Sequence, residues 1–273
     1  MARTLRLTAE EEIGKLRDMI SRRNFLAGSL ATTASFPLFA APKAPSGKKG
    51  WAGGTADLPT KFKAHWYYNW MVRPSDQKQP FVPLFKGGNT ITESSFDVVS
   101  SLRGIDTILG FNEPERKDQG NLSVNQVLDF WPQLEKLAKR LKVRLGSPAC
   151  SSDKKGMDWF AEFMEKAKKK ELHIDFVAVH WYRSRDAKKF EEFVEDLSKT
   201  HGRKKVWITE FNGWAGDEKE NFSFLEDSLK FLEKNPVVER YAYFNPAPGK
   251  PHSLLKADGT LTRMGEIYRD AGV

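Results

Sequence analysis

Cysteine is almost missing from this chain. Cys150 is the only one in 273 residues, so no intrachain disulfide can form and no cysteine-rich zinc site can exist. Histidine is sparse too. His65, His173, His180, His201 and His252 are scattered, without the H-E-x-x-H spacing that aims two imidazoles from one helix face, and no metal is expected. G-x-S-x-G is absent, which removes the usual serine nucleophile elbow, and Ser147-Pro148 reads as a strand end. Gly87-Gly88 lacks both a following Lys-Ser/Thr and the dinucleotide spacing; no phosphate loop, and no cofactor, is expected. No apolar run is long enough for a stable membrane span, and there are no heptads and no internal repeats.

The charge is less informative than its size implies. Formal net charge is +8 and the sequence pI is about 9.4. The lysines cluster on helical stretches, as at Lys166, Lys168, Lys169 and Lys170, or Lys188 and Lys189, where they read as solvated faces. No motif of a nucleic-acid module accompanies them, so no nucleic-acid partner is expected.

At the N-terminus, Ser21-Arg22-Arg23-Asn24-Phe25-Leu26-Ala27 precedes a mildly apolar, small-residue run to about Ala41. This resembles a twin-arginine export signal and implies a periplasmic or extracellular protein. Residues 1–46 are therefore expected to be signal and linker, with maturation near 40–46, and residues 47–273 one domain.

From Gly50 onward, short apolar runs alternate with amphipathic stretches, the pattern of βα units around a parallel sheet. Eight runs are readable: 51–53 (weak), 63–68, 81–85, 108–111, 143–147, 176–181, 206–209 and 238–244. Helices are expected at about 94–103, 123–141, 157–170, 187–200, 219–234 and 262–270. Ser123 with Gln126 has capping-box spacing, and Pro132 predicts a kink or restart. Eight strands close a barrel, so the expected fold is α/β, a single-domain (β/α)8 TIM barrel; an open doubly wound sheet is the alternative.

Two strand ends carry an acid: Ile108-Leu109-Gly110-Phe111-Asn112-Glu113-Pro114, and Val206-Trp207-Ile208-Thr209-Glu210-Phe211. Strand C-termini are where barrel ligand sites form, so Glu113 and Glu210 are expected to face one cleft. Strict alternation would send Asn112 and Glu113 to opposite faces, which predicts a bulge or break there. Polar and aromatic residues gather at the other strand ends: Trp66, Tyr68, Asn69, Trp70, His180, Trp181, Tyr182, Trp214 and Phe244. Aromatic faces beside polar groups suit sugar rings, and paired carboxylates are what glycoside hydrolysis needs. In that chemistry one carboxyl gives a proton to the leaving oxygen while the other attacks, or activates a water.

Gly110-Phe111-Asn112-Glu113-Pro114 followed by Gln119-Gly120-Asn121 resembles the signature of glycoside hydrolase family 128. The likeness continues through 66–70, 81–84, 147–149, 175–182, 207–211, 238–244 and 265–268. It implies a clan A barrel that binds β-glucan, with Glu113 as acid/base, Glu210 as nucleophile and the aromatic set above, with Asn112, as sugar contacts. The activity implied is retaining β-1,3-glucan hydrolysis; an exported, monomeric endo-glucanase is expected, and the retaining mechanism predicts carboxyls about 5–5.5 Å apart and an acid raised in pKa. Another β-linked glycan as substrate, or a non-catalytic glucan-binding barrel, are the alternatives. Glu115 departs from the family pattern, in which Asp is common.

Overall fold

The computed structural model describes residues 46–53, 57–75, 79–214 and 216–272; the expected export signal lies outside them. The strands are β1 Lys49–Ala52, β2 Trp66–Tyr68, β3 Thr107–Ile108, β4 Arg144–Leu145, β5 Cys150–Ser151, β6 Val177–Trp181, β7 Val206–Phe211 and β8 Val238–Phe244. They form two parallel sheets, ordered β2-β1-β8-β7-β6-β5 and β3-β4. Isolated parallel bridges join them: Tyr67 to Phe81, Leu84 to Leu109, Asn112 to Ala149 and Gly146 to Phe176. The ring thereby closes through eight positions. The third is the bridged stretch 81–84, where Pro80 and Pro83 remove ladder donors. The fifth is split into β4 and β5 around Pro148.

Helices Asp57–Lys61, Glu93–Ser101, Val124–Leu141, Lys154–Lys169, Ala187–Thr200, Glu218–Lys234 and Arg263–Asp270 connect these positions. The first was not anticipated, and no described helix separates the second and third positions. Ser123 and Gln126 do form a capping box, and the helix they open continues through Pro132.

The weak first strand is held from its sides. Lys49 Nζ donates to the carbonyls of Tyr268, Arg269 and Ala271, and Lys48 Nζ to those of Leu232, Glu233 and Asn235. Each lysine thus brings a positive charge to the negative end of a helix. Gly50 is required because a Cβ there would meet Trp66 Cε2 at 2.2 Å.

Strand parity sorts the aromatics. Phe176 and Ala178 of the sixth position point into the barrel, whereas Val177, Val179 and Trp181 pack outward under helices. Trp181 stacks on Phe190 at 4.8 Å and lies between barrel and helix, away from the strand-end cleft. Trp66 opens β2 instead of ending it, so it sits on the barrel floor against Trp207 at 5.3 Å. That floor is closed by the Arg144–Glu239 pair, the Trp207 Nε1 bond to Glu239 and Arg240 4.4 Å above the Trp207 ring.

Both tryptophans therefore leave the set of expected sugar contacts and join the core. Trp66→Ala and Trp181→Ala should each lose about 3–5 kcal/mol in chemical denaturation. A variant that kept wild-type stability would put that side chain back at the surface.

Candidate active site

Glu113 and Glu210 both reach the cleft through irregular backbone. On β7, Trp207 points inward and Ile208 outward, so strict alternation would turn Glu210 out and Phe211 in. The pairing slips instead: Val179 faces Ile208, but His180 faces Glu210. The extra residue, Thr209, is a bulge that brings Glu210 inward and leaves Phe211 in the outer core. Glu113 follows β3 at φ +39, in the left-handed region that a side chain disfavours. Its N–H donates to Ala149 at 2.7 Å and its carbonyl accepts from the Arg116 N–H at 2.9 Å. The expected break at Asn112-Glu113 is present.

The two carboxylates meet on one nitrogen. His180 Nδ1 lies 2.9 Å from Glu113 Oε1 and 3.6 Å from Glu210 Oε2. The two oxygens are therefore no more than about 6.5 Å apart, at the lower edge of the inverting range and compatible with the retaining one. Glu210 also accepts from Tyr68 Oη at 3.0 Å, Trp70 Nε1 at 2.7 Å and Tyr182 Oη at 2.5 Å. Burial, with Glu210 beside them, pushes both phenols well above their ordinary pKa, so they remain donors.

Burial pushes Glu113 up, but the bond to His180, its charge and Arg116 outweigh that and hold the carboxyl below its ordinary range. The expected rise is not found in the free chain. Repulsion from Glu210 does not prevail because the imidazole lies between. Burial opposes a charge on His180, yet Glu210 and Glu113 raise its pKa to about 8.

The cleft has a volume of about 670 Å³. Trp70, Tyr182, Trp214 and Phe244 line it on the Glu210 side. Edge-on contacts of 6.0 Å from Trp70 to Phe244, 6.0 Å from Phe244 to Tyr182 and 5.7 Å from Tyr182 to Trp214 make these rings one wall. Trp214 is 59% exposed at its rim. Two asparagines shape the wall from behind. Asn69 Oδ1 accepts from the Met71 N–H, and Asn212 Oδ1 from the Trp214 N–H, each an Asx-type turn beside a tryptophan at positive φ. Asn69 thus arranges the loop and does not line the cleft, which corrects its expected sugar contact. Tyr68 and His180 are buried beneath the surface and touch the carboxylates.

On the Glu113 side the lining is Asn112, Lys86, Arg116, Asp118 and Gln119, with Ser151, Ser152, Asp153 and Arg183 beyond. Of these, composition and strand ends pointed only to Asn112. Gln119 had a signal, since it lies in the Gln119-Gly120-Asn121 run: its Oε1 accepts from Asn112 Nδ2 at 3.3 Å. Gly120 folds so close that a Cβ would meet the Asn112 carbonyl at 2.7 Å. No group of His, Cys, Asp and Glu among the described residues could hold a metal ion.

A closed parallel ring with two carboxylates at its strand ends defines a glycosidase-type barrel. Residues 51–268 match the family model described as glycosyl hydrolase catalytic core. A curdlan-specific exo-β-1,3-glucanase of family 128 subgroup III from Blastomyces gilchristii, solved with glucose, is 30% identical over 84% of this chain and 100% of its own, with TM-score 0.70. A subgroup I endo-β-1,3-glucanase from Amycolatopsis mediterranei, solved with laminaritriose, is 27% identical over 82% and 99%, with TM-score 0.71. A subgroup II endo-β-1,3-glucanase from Sorangium cellulosum gives 27%, 82%, 98% and 0.71. Comparison with curated proteins finds no match. The chain belongs to glycoside hydrolase family 128.

The His180–Glu113 contact has a pH signature. Because the folded pKa of His180 is raised, to about 8 from 6.5, its contribution to stability is full below about pH 6.5 and is lost as pH rises through about 8. The depressed Glu113 pKa is the same interaction seen from the other partner, so the two are not added. Urea unfolding of the wild type should show a loss of about 2 kcal/mol between pH 6 and 9. His180→Asn should remove most of that slope, and an equal slope in the variant would locate its origin elsewhere.

Proposed function

We propose that this chain is a retaining endo-β-1,3-glucanase in which Glu210 is the nucleophile and Glu113 the acid/base. The observation that carries the reading is the pair of carboxylates on one imidazole nitrogen, at 2.9 and 3.6 Å, inside an aromatic-walled cleft. β-1,3-Glucan as substrate is supported by the activities of the solved relatives. The open cleft has lining on both flanks of the carboxylates, which suits internal cleavage; two of those three relatives are endo-acting and one exo-acting.

In the free chain the proton needed by the leaving group resides on His180. A sugar covering the site excludes water and disfavours the two charged forms relative to the neutral pair, favouring transfer from Nδ1 to Glu113 Oε1 along their 2.9 Å hydrogen bond. Glu113 then protonates the glycosidic oxygen as the bond to the anomeric carbon breaks, while Glu210 forms an ester to that carbon. Glu113, now a base, takes a proton from the water that hydrolyses the ester. Tyr68, Trp70 and Tyr182 hold the Glu210 carboxylate in line throughout. The Trp214 face offers a stacking surface for a glucosyl ring farther along the chain. The Arg22-Arg23 pair and the run after it support export by the twin-arginine route, which N-terminal sequencing of exported protein would test.

Product analysis on laminarin, curdlan, cellulose and mixed-linkage glucan is the deciding assay. A ladder of laminari-oligosaccharides is expected; glucose alone would mean exo action, and turnover of cellulose alone would mean another linkage. kcat/KM should fall above about pH 8, where the His180–Glu113 pair loses its shared proton. Glu210→Gln should abolish turnover on every substrate. Glu113→Gln should lose about 10²–10⁴-fold on glucan but far less on an aryl glycoside, and azide should rescue it with a β-configured product. An α-configured azide product from the Glu113 variant would reverse the two roles.

A further inference from the structure

Beneath the paired carboxylates lies a third, which the reaction above does not use. The side chain of Glu115 is fully shielded from solvent. Its Oε1 accepts from the Ser151 N–H at 2.9 Å and from Ser151 Oγ at 2.7 Å, with Arg116 Nε at 3.7 Å. Its Oε2 is buried with no hydrogen-bond partner among the described residues. A carboxylate oxygen so placed costs stability, and a fold retaining it against that cost invites a use for the charge.

The neighbourhood indicates which use. Ser151, the anchor, is the ladder partner of His180 where β5 pairs with β6. The same hydroxyl lies 3.1 Å from Arg116 Nη2 and 3.0 Å from Asp153 Oδ1, the N-cap of helix Lys154–Lys169. With Arg116 donating to it, its single hydrogen serves Glu115 or Asp153, and the guanidinium also bonds Asp153. His180 is faced by Glu113 from the loop after β3, by Glu210 from β7 and by the Tyr182 ring at 6.2 Å. Glu115 is faced by Arg116 and, from β5, by the Cys150 thiol, which burial and then Glu115 push well above its ordinary pKa.

We propose that Glu115 is a positioning residue for acid/base catalysis: its charge, fixed on Ser151 beside His180, keeps a proton on that imidazole for delivery to Glu113. The proposal rests on the glycosidase reading of the cleft. Burial alone would strip the proton from His180, and Glu115 is among the anions that offset it, after Glu210 and Glu113. Unlike those two, it undergoes no chemistry. Its contribution therefore persists when Glu210 is esterified, at the step where Glu113 must accept a proton from water and pass it on.

The test follows the ring nitrogens of His180 by NMR in the full chain labelled at histidine, with the resonance assigned by His180→Asn. Glu115→Gln keeps the side-chain volume and removes the charge. It should lower the His180 titration midpoint by about one unit and move the alkaline limb of kcat/KM the same way, reducing kcat with KM held. Glu115→Asp should restore both. A lower melting temperature with an unmoved midpoint would reduce Glu115 to a clamp between the loop and β5, and overturn the proposal. Should Glu115→Gln not fold, Glu115→Met removes both charge and unpaired oxygen and carries the same measurement. If the unaltered chain turns over no β-linked glucan, the glycosidase reading fails, while the His180 midpoint still decides what Glu115 does.

Discussion

Two carboxylates within about 6.5 Å of each other at a buried strand end repel unless something between them carries positive charge, and His180 Nδ1 is in that place. The rest of the site depends on this contact. β6 keeps strict inward and outward alternation from Phe176 to Trp181, so the imidazole stands on regular backbone packed from behind by Trp181 and Phe190. The glutamates come to it on irregular backbone, one by a bulge at Thr209 and one by a left-handed residue. A rigid imidazole shared by both partners, with two adjustable approaches, is a geometry in which the imidazole sets the separation of the acids.

Irregular backbone needs support, and the support is local. Trp70, Glu113 and Trp214 are non-glycine residues at positive φ, and all three line the cleft. Asn69 and Asn212 hold the two tryptophans through Asx-type turns, and Asn212 also ties its loop to the Phe244 carbonyl at 2.9 Å. The Glu113 turn is held on several sides, by Ala149, by the return of the chain at Gly120 onto the Asn112 carbonyl, and by Leu122 onto Pro114. Strain at these three cleft positions, absorbed one layer behind them, explains why several site-shaping residues never touch the cleft itself.

That division also explains what could be read from the amino-acid order. The eight-position ring was legible because apolar runs and amphipathic stretches alternate, and the paired acids were legible because each ends such a run. Parity alone would have separated Trp181 from His180 and Tyr182, since neighbours on a strand face opposite ways. Trp66 was misread for a different reason: its strand begins at Trp66 itself, and a boundary three residues early moves a side chain from mouth to floor. The Thr209 bulge had no local signal, because it exists only relative to β6 and β8. Arg116, Ser151 and Asp153 are drawn together from separate segments by Glu115 and a helix cap, a convergence no linear motif displays.

Floor and mouth of the barrel handle charge differently. At the floor the charges answer one another: Arg144 forks onto Glu239, Arg240 onto Asp106, and the ring nitrogen of Trp207 is bonded as well. Around the acids, Asn112 Oδ1, Glu115 Oε2, His180 Nε2 and Thr209 Oγ1 are buried without a hydrogen-bond partner among the described residues. Leaving such atoms unpaired destabilises the free protein, and these four carry that cost beside the acids. Asn112 also lines the cleft, but its Oδ1 is closed to solvent, so a sugar hydroxyl reaches that oxygen only if the amide turns. The site therefore holds buried polarity that destabilises the free fold, and a ligand gains a bond from it only by moving the side chains that carry it.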